Sequence, residues 1–222
     1  MAGMKRYSID SDAREKAIKC CVVSSLCLSL LIDWLVIPAA ETLFLSIGLG
    51  SAVSRLASIG LFGQIAPFAL FGSLWWLYDN HIWRFDPFVR LHGVPNLNGT
   101  WSGSGCSDFK GLSGDPVEYE MALEITQTFT KMSCVSHFDS SESEANMIGL
   151  VGCKDGDGRY CLEFSYGNVA GESSIKVDTW QDEHKGFNVI VCEDTHMNGR
   201  YFTNRNCATR GTFSLDKRMK AE

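Results

Sequence analysis

The sequence predicts an N-terminal transmembrane α-helical hairpin followed by an all-β domain, an antiparallel up-and-down barrel of about eight strands. Two observations predict this combination. Residues 17–83 are strongly apolar and contain two runs that are each about the 20 residues a helix needs to cross a bilayer. After Pro95, apolar residues instead recur at every second position, which is the period of a half-buried strand.

The apolar block divides the chain into four parts. They are a cytoplasmic N-terminal segment at residues 1–16, the hairpin at 17–83 with spans at about 17–38 and 56–78, a linker at 84–94, and the barrel at 95–222.

Basic residues near the span ends predict the orientation of the hairpin. They cluster before the first span and follow the second, whereas Arg55 stands alone between the spans. Because basic residues favour the cytoplasmic side, both ends are predicted to be cytoplasmic, with the barrel facing the cytosol. The apolar residues 41–55 are either an interfacial or re-entrant segment or a short third span. A third span would place the barrel outside.

The alternating part of the sequence predicts eight strands. Their approximate bounds are 99–105, 117–127, 130–139, 144–152, 159–167, 187–193, 199–203 and 208–216, and residues 172–183 are either an extra strand or an irregular crossover. On the sixth strand the alternation places Phe187, Val189 and Val191 on the inward face. Closure into a barrel, lipocalin- or avidin-like in outline, removes exposed strand edges and leaves room for packed side chains or one small ligand.

The barrel domain is acidic, with 12 lysines and arginines against 19 aspartates and glutamates, a net charge of −7. Sequence-independent binding to nucleic acid needs a basic face, so we expect no DNA or RNA partner. Six of the nine cysteines fall in this domain. Because a cytosolic domain keeps its thiols reduced, we expect free cysteines, including Cys153 and Cys161, which flank one predicted hairpin turn.

The sequence does not carry the patterns of an enzyme or a metal site. G-x-S-x-G, P-loop and H-E-x-x-H motifs are absent, and the calcium-like start at Asp155 lacks its closing glutamate. The close pairs Cys134/His137 and Cys192/His196 lack a second pair to complete a zinc site. We therefore expect no catalytic activity, no metal and no cofactor.

Two motifs supply candidate ligand contacts. Asn98-Gly99-Thr100-Trp101 opens the barrel, and its tryptophan is either a core residue that plugs one end or a ligand contact. In the second motif, residues 198–211, Tyr201, Thr203 and Thr209 are predicted to face inward, where they either bond one another or bind a ligand, since buried polar groups need partners. Arg205 is predicted at the barrel mouth. With Tyr166, these residues form the candidate binding set.

Two charged residues in the apolar block are candidates for membrane assembly. Asp33 and Arg55 are costly if they face lipid, so we expect several hairpins to shelter them against one another.

The hairpin, the segment Val94-Pro95-Asn96-Leu97-Asn98-Gly99-Thr100-Trp101 and the closing Gly199-x-Tyr201-Phe202-Thr203-x-Arg205-x-x-x-Thr209-x-Gly211 together resemble the two-transmembrane β-barrel effectors of bacterial CBASS antiphage systems. The resemblance implies that the barrel senses a cyclic dinucleotide made by a partner nucleotidyltransferase. It also implies a multi-pass protein of the bacterial inner membrane that forms a homo-oligomer on activation and acts on membrane lipids, disrupting the membrane in abortive infection.

The same sequence features fit two other functions. The barrel is also suited to a membrane-tethered protein that binds a lipid or another apolar ligand without killing activity, or to a purely structural anchor with a filled interior. Which cyclic nucleotide binds, and whether it lies inside a barrel or between barrels, is not encoded in a motif.

Overall fold

The computed structural model describes residues 3–36, 38, 46, 61–110, 114–138, 141–152, 159–170, 184–204 and 208–218. The chain forms two compact units, one made of Met1–Ser11 with Pro95–Glu222 and the other of Asp12–Val94. Arg55, most of residues 41–55, residues 172–183 and the turn at Asp155 lie outside the described residues.

The Asp12–Val94 unit is helical. Helix α1 spans Ala13–Leu31 and continues into a π-helical turn at Ile32–Val36, helix α2 spans Leu61–Asn80, a 3₁₀ turn lies at Ile82–Arg84, and helix α3 spans Asp86–His92. Among the described residues, the stretch Ala13–Leu35 is the one helix that is long and apolar enough to cross a membrane, with a mean hydropathy of 1.8.

Helix α1 buries its small residues and exposes its large ones. The buried positions recur every four residues and are Ala13, Ala17, Cys21, Ser25 and Ser29. Helix α2 packs against α1, whereas Val23, Leu26 and Leu30 are 50% or more exposed. Soluble helices show the opposite distribution, and small residues at helix contacts are typical of membrane helices. This distribution supports the predicted hairpin.

The segment predicted as a linker is ordered around a buried histidine. His92 ends α3, and Gly93 follows in the left-handed conformation with φ of 68°. The backbone N–H of Val94 donates to His92 Nδ1 at 3.0 Å, so Nε2 carries the proton and donates to the Trp83 carbonyl at 2.9 Å. Burial lowers the pKa of His92, and the bond to Trp83 opposes that change.

The other unit is a closed barrel of eight antiparallel strands. They are β3 Gly99–Lys110, β4 Pro116–Gln127, β5 Lys131–Phe138, β6 Ser141–Gly152, β7 Tyr160–Ala170, β8 His184–Cys192, β9 His196–Thr203 and β10 Arg210–Lys217. Each strand pairs with its neighbours in sequence, and β10 returns to pair with β3. The predicted up-and-down barrel is confirmed.

Two short strands from the N-terminus complete the barrel wall. Strand β1, Lys5–Arg6, pairs with the start of β5, and strand β2, Ser8–Ile9, pairs with the end of β6. Strands β5 and β6 pair directly only between Val135–Phe138 and Ser141–Glu144, so the N-terminal segment lies where the two strands separate. The sequence predicts a cytoplasmic segment for these residues and no strand.

A buried glutamine holds the N-terminal segment against the start of the barrel domain. Gln127 Nε2 donates to the Tyr7 hydroxyl at 3.2 Å and to the Pro95 carbonyl at 3.2 Å, while its Oε1 accepts from the Leu97 N–H at 2.9 Å. Tyr7 is 2% exposed and its hydroxyl donates to the Phe129 carbonyl. The two chain segments that join the barrel to the helical unit are therefore held by one side chain.

The predicted inward face of β8 is wrong. Asn188, Ile190 and Cys192 are the buried residues of this strand, whereas Phe187 contacts the exposed Phe202 on the outer surface. Both faces of β8 are largely apolar, so the alternation itself does not decide which face points inward.

Candidate functional site

The two ends of the barrel are packed differently. At one end the interior is filled by Trp101, which is 0% exposed, and by Leu123, Leu150, Leu162 and Leu215, all 1% exposed or less. At the other end the interior holds a cavity of about 220 Å³ that is open to the surface. The barrel interior is therefore packed with side chains at one end and open to the surface at the other.

The lining of the cavity combines aromatic rings with hydroxyl groups. It consists of Ser107, Phe109, Val117, Tyr119, Met121, Ser136, Phe138, Ser141, Ser143, Tyr166, Asn188, Tyr201, Thr203, Thr209 and Phe213. None of these described lining residues carries a charge at neutral pH. Although the outer surface of the barrel is acidic, its cavity is neutral, so an anionic ligand meets hydroxyl and amide groups rather than carboxylates.

Glycines on neighbouring strands make room for the rings. Tyr201 lies directly opposite Gly211 in strand register, and a Cβ at Gly211 would collide with the Tyr201 ring and the Cys106 carbonyl. Three further pairs repeat this arrangement: Gly105 with Tyr119, Gly186 with Tyr166, and Gly199 with Phe213. Four aromatic rings of the lining therefore lie across glycines, which explains the glycines of the closing motif.

Two tyrosines meet inside the cavity. The rings of Tyr119 and Tyr201 have centroids 6.2 Å apart and lie at 71° to each other, an edge-to-face arrangement. Burial raises the pKa of Tyr119 far above its usual range, and the charge and hydrogen bond of Tyr201 act in the same direction. The Tyr119 phenol therefore stays neutral, and its ring and that of Tyr201 form an aromatic pair inside the cavity.

Two threonines join the ends of strands β9 and β10. Their hydroxyls are 2.9 Å apart, the Thr209 N–H donates to Thr203 Oγ1 at 3.1 Å, and the Thr203 N–H donates to the Thr209 carbonyl at 3.0 Å. Next to them, Asn204 exchanges two hydrogen bonds with Lys185 at 3.0 and 3.1 Å. The strand ends on either side of residues 205–207 are thus fixed at the cavity mouth.

The structure brings together four residues of the predicted binding set. The cavity is lined by Tyr166, Tyr201, Thr203 and Thr209. The two threonines hydrogen-bond each other, which is one of the two predicted alternatives. Trp101 does not line the cavity. It plugs the filled end, where its indole N–H donates to the Leu97 carbonyl at 3.0 Å and the Lys217 ammonium lies 5.1 Å from the ring centroid.

Two predicted charged residues, Arg205 and Arg55, lie outside the described residues. Asp33 belongs to the helical unit, where its side chain is exposed in the π-helical turn after α1.

Sequence reasoning missed several lining residues. Ser107, Ser136, Ser143 and Asn188 are 8% exposed or less and face the cavity. Polar residues at inward positions of a strand were the available signal, since such groups need partners. Tyr119 on β4 also lines the cavity and does not belong to the predicted binding set. Within the described part of the chain, no cluster of histidine, cysteine and acidic residues is suited to a metal ion.

The closed eight-stranded barrel is filled at one end and has a neutral cavity lined by rings and hydroxyls at the other. These features are typical of barrels that bind a small ligand. The sequence gives the ligand class. Residues 92–217 match the family described as the Cap15 cyclic dinucleotide receptor domain, and the match covers more than half of the chain. The protein belongs to this family of CBASS effectors, and its barrel is a cyclic dinucleotide receptor domain. A comparison with curated proteins found no match.

Proposed function

We propose that the protein is an antiphage effector whose barrel binds a cyclic dinucleotide in the open-end cavity and thereby activates the membrane helices. The observation that carries this proposal is the match to a cyclic dinucleotide receptor domain, together with a cavity whose lining suits bases and sugar–phosphate oxygens.

The lining divides naturally between the parts of such a ligand. Tyr119, Tyr166 and Tyr201 offer rings on which bases stack, a contact that tolerates different bases. Ser136 and Ser143 offer hydroxyls to sugar and phosphate oxygens. The cavity is smaller than the roughly 300–1,000 Å³ typical of ligand pockets, so the ligand extends through the mouth.

Positive charge at the mouth comes from Arg205 in this proposal. In the sequence Arg205 directly follows Asn204, and the strand ends at Thr203 and Thr209 are joined by the threonine pair. A guanidinium suits bidentate contact with a phosphate. The ligand is supplied by a cognate nucleotidyltransferase, and the barrel acts by binding rather than by catalysis.

The membrane step follows from the helical unit. Helix α1 and a second span in α2 anchor the protein in the bacterial inner membrane with the barrel in the cytoplasm. Two spans per chain are too few to enclose a pore, so ligand binding favours a homo-oligomer in which several hairpins disrupt the lipid bilayer. A ligand shifts this equilibrium through its higher affinity for the assembled state.

A second function is favoured by the apolar part of the lining. Phe109, Val117, Met121, Phe138 and Phe213 would also contact a lipid tail, as in a membrane-tethered lipid-binding barrel without killing activity.

Co-expression in cells separates the two functions. The effector with an active nucleotidyltransferase should depolarise the inner membrane, whereas the effector with a catalytically dead synthase should not. The variant Asp33→Leu should retain ligand binding but depolarise less, because it removes the exposed charge that is costly in lipid and so favours assembly of several hairpins. Depolarisation that is independent of the synthase would contradict the proposal.

A further inference from the structure

The outer surface of the barrel carries unlike charges on opposite sides. In the cyclic strand order, β5 and β9 are four strands apart in either direction, so they lie diametrically opposite each other. The side around β5 presents exposed carboxylates from β4 and β6, and we call it the acidic face. It consists of Glu118, Glu120, Glu124 and Glu142.

The opposite side combines arginines with aromatic rings, and we call it the basic face. It consists of Arg200, Phe202, Arg210 and Phe187. Strand register places both Arg210 and Phe187 directly opposite Phe202. Phe202 is 52% exposed and its ring centroid is 5.6 Å from that of Phe187. Arginine beside exposed aromatic rings is the composition of protein-interface hot spots.

The charges of the two faces are only partly compensated within the described part of the chain, where the Arg210 backbone N–H donates to the Asp108 carboxylate at 2.7 Å on the basic face. Arg200, Arg210, Glu118 and Glu120 form no ion pair with another described residue, and His137 lies between Glu124 and Glu142 at 3.7 and 3.5 Å. Like charges gathered on one side of a sheet repel each other. An opposite charge from outside the barrel relieves this cost on both sides.

We propose that the partner of each face is a second copy of this chain, with the basic face of one barrel against the acidic face of the next. The proposal rests on the function given above and names the surfaces through which the oligomer forms. Because two different faces meet, the contact is heterologous and repeats from copy to copy into a ring or an open row.

The cavity is linked to both faces through the two tyrosines that meet inside it. Tyr119 lies between Glu118 and Glu120 on β4, and Tyr201 lies between Arg200 and Phe202 on β9. A ligand that enters between the two rings shifts the strands that carry the acidic and basic faces. Ligand binding therefore changes the fit between neighbouring barrels.

Charge reversal tests the contact directly in the full-length protein in detergent. The variant Arg200→Glu/Arg210→Glu makes both faces acidic, and Glu118→Lys/Glu120→Lys makes both faces basic or neutral. Each variant alone should keep the size of the ligand-free protein when cyclic di-AMP, cyclic di-GMP or cyclic GMP–AMP is added, as measured by light scattering. The control Asp194→Lys, at the filled end of the barrel, should assemble like the wild type.

A mixture of the two variants distinguishes the loss of the contact between barrels from a failure of the variants to fold. The reversed faces complement each other in the mixture, so ligand-driven assembly should return, and it should weaken with added salt as expected of exposed charges. Calorimetric binding is measured on the same samples. Suppose that a cyclic dinucleotide binds the wild type. If both variants then assemble like the wild type, or if the mixture does not assemble, the proposed interface is wrong and the proposed function is unaffected. If none of the three binds the wild type, the proposed function fails and this inference with it.

Discussion

Tyr119 and Tyr201 face each other across the cavity, with ring centroids 6.2 Å apart. They come from β4 and β9, which lie on different sides of the barrel. A ligand that stacks a base in the cavity would therefore contact or part these rings, so we expect substitutions of Tyr201 to change ligand affinity.

Two substitutions of Tyr201 should distinguish the contribution of its hydroxyl to ligand binding from the contribution of its ring. Tyr201→Phe should weaken cyclic dinucleotide binding by about 0.5–1.5 kcal/mol, the net value of one hydrogen bond. Tyr201→Ala should cost about 1–3 kcal/mol more, because a stacking surface is lost. Calorimetry measures both, and the outward-facing Ser214→Ala serves as the control. Equal affinity for all three variants would remove Tyr201 from the site.

The glycine beneath Tyr201 should be irreplaceable. Gly211→Ala places a methyl group against the Tyr201 ring and the Cys106 carbonyl, and overpacking of this kind costs about 1–3 kcal/mol. Gly152→Ala is the matched control, since open space surrounds that position. Thermal unfolding should show a lower Tm for the first variant alone. A Tm equal to that of the control would show that the strands shift freely and that the ring is not held.

The sequence predicted the barrel well because alternation and turns are local signals. Strands β3 to β10 all fall on predicted segments, and Thr203 and Thr209 face inward as expected. The strand prediction failed where the alternation of apolar and polar residues does not distinguish the two faces of a strand or is too short to be detected. Strand β8 is apolar on both faces, so Phe187 and Asn188 were exchanged, and strands β1 and β2 are two residues long, too short to show a period.

The site could be predicted only in part for a related reason. Tyr201 and Thr203 stand in a recognisable motif, but Ser136 and Asn188 become site residues only when distant strands close the cavity. Trp101 has the inward direction of a ligand contact, yet it lies at the filled end, and a side chain's height along the barrel depends on register between strands.

Removing Arg205 should weaken binding without unfolding the barrel. A charge-assisted bond to a phosphate is worth about 1.5–3 kcal/mol, so Arg205→Ala should lower affinity by that amount at an unchanged Tm. The control Arg218→Ala removes an exposed arginine just after β10, at the filled end, where its Nε donates to Ser102 at 2.9 Å. If both variants bind like the wild type, the phosphate charge is supplied elsewhere.

The helical unit should lose stability in acid because of His92. Burial lowers the pKa of His92 in the folded protein, so below about pH 6.5, the usual histidine value, the unfolded chain takes up a proton that the folded chain resists. Stability is therefore full above that pH and falls as the pH drops. Protonation would also break the bond that Val94 donates to Nδ1.

Thermal unfolding of the full-length protein between pH 5 and 8 checks this, with His92→Gln as the comparison. The effect of His196 on stability has the opposite dependence on pH. Its bond to Asp216 raises its pKa, so its contribution to folding stability is lost as the pH rises. Subtracting the His92→Gln profile isolates His92. A difference that does not change with pH would contradict its neutral, buried role.

In the proposed function, a cyclic dinucleotide binds inside the open-end cavity. Calorimetric titration of the full-length protein with cyclic di-AMP, cyclic di-GMP and cyclic GMP–AMP tests it most directly when repeated on Ser136→Leu, which fills the cavity with a buried apolar side chain. At least one of the three should bind the wild type, and Ser136→Leu should lose that binding at least tenfold while keeping its Tm. Equal binding by Ser136→Leu would place the ligand outside the cavity, and no binding to the wild type would contradict the account.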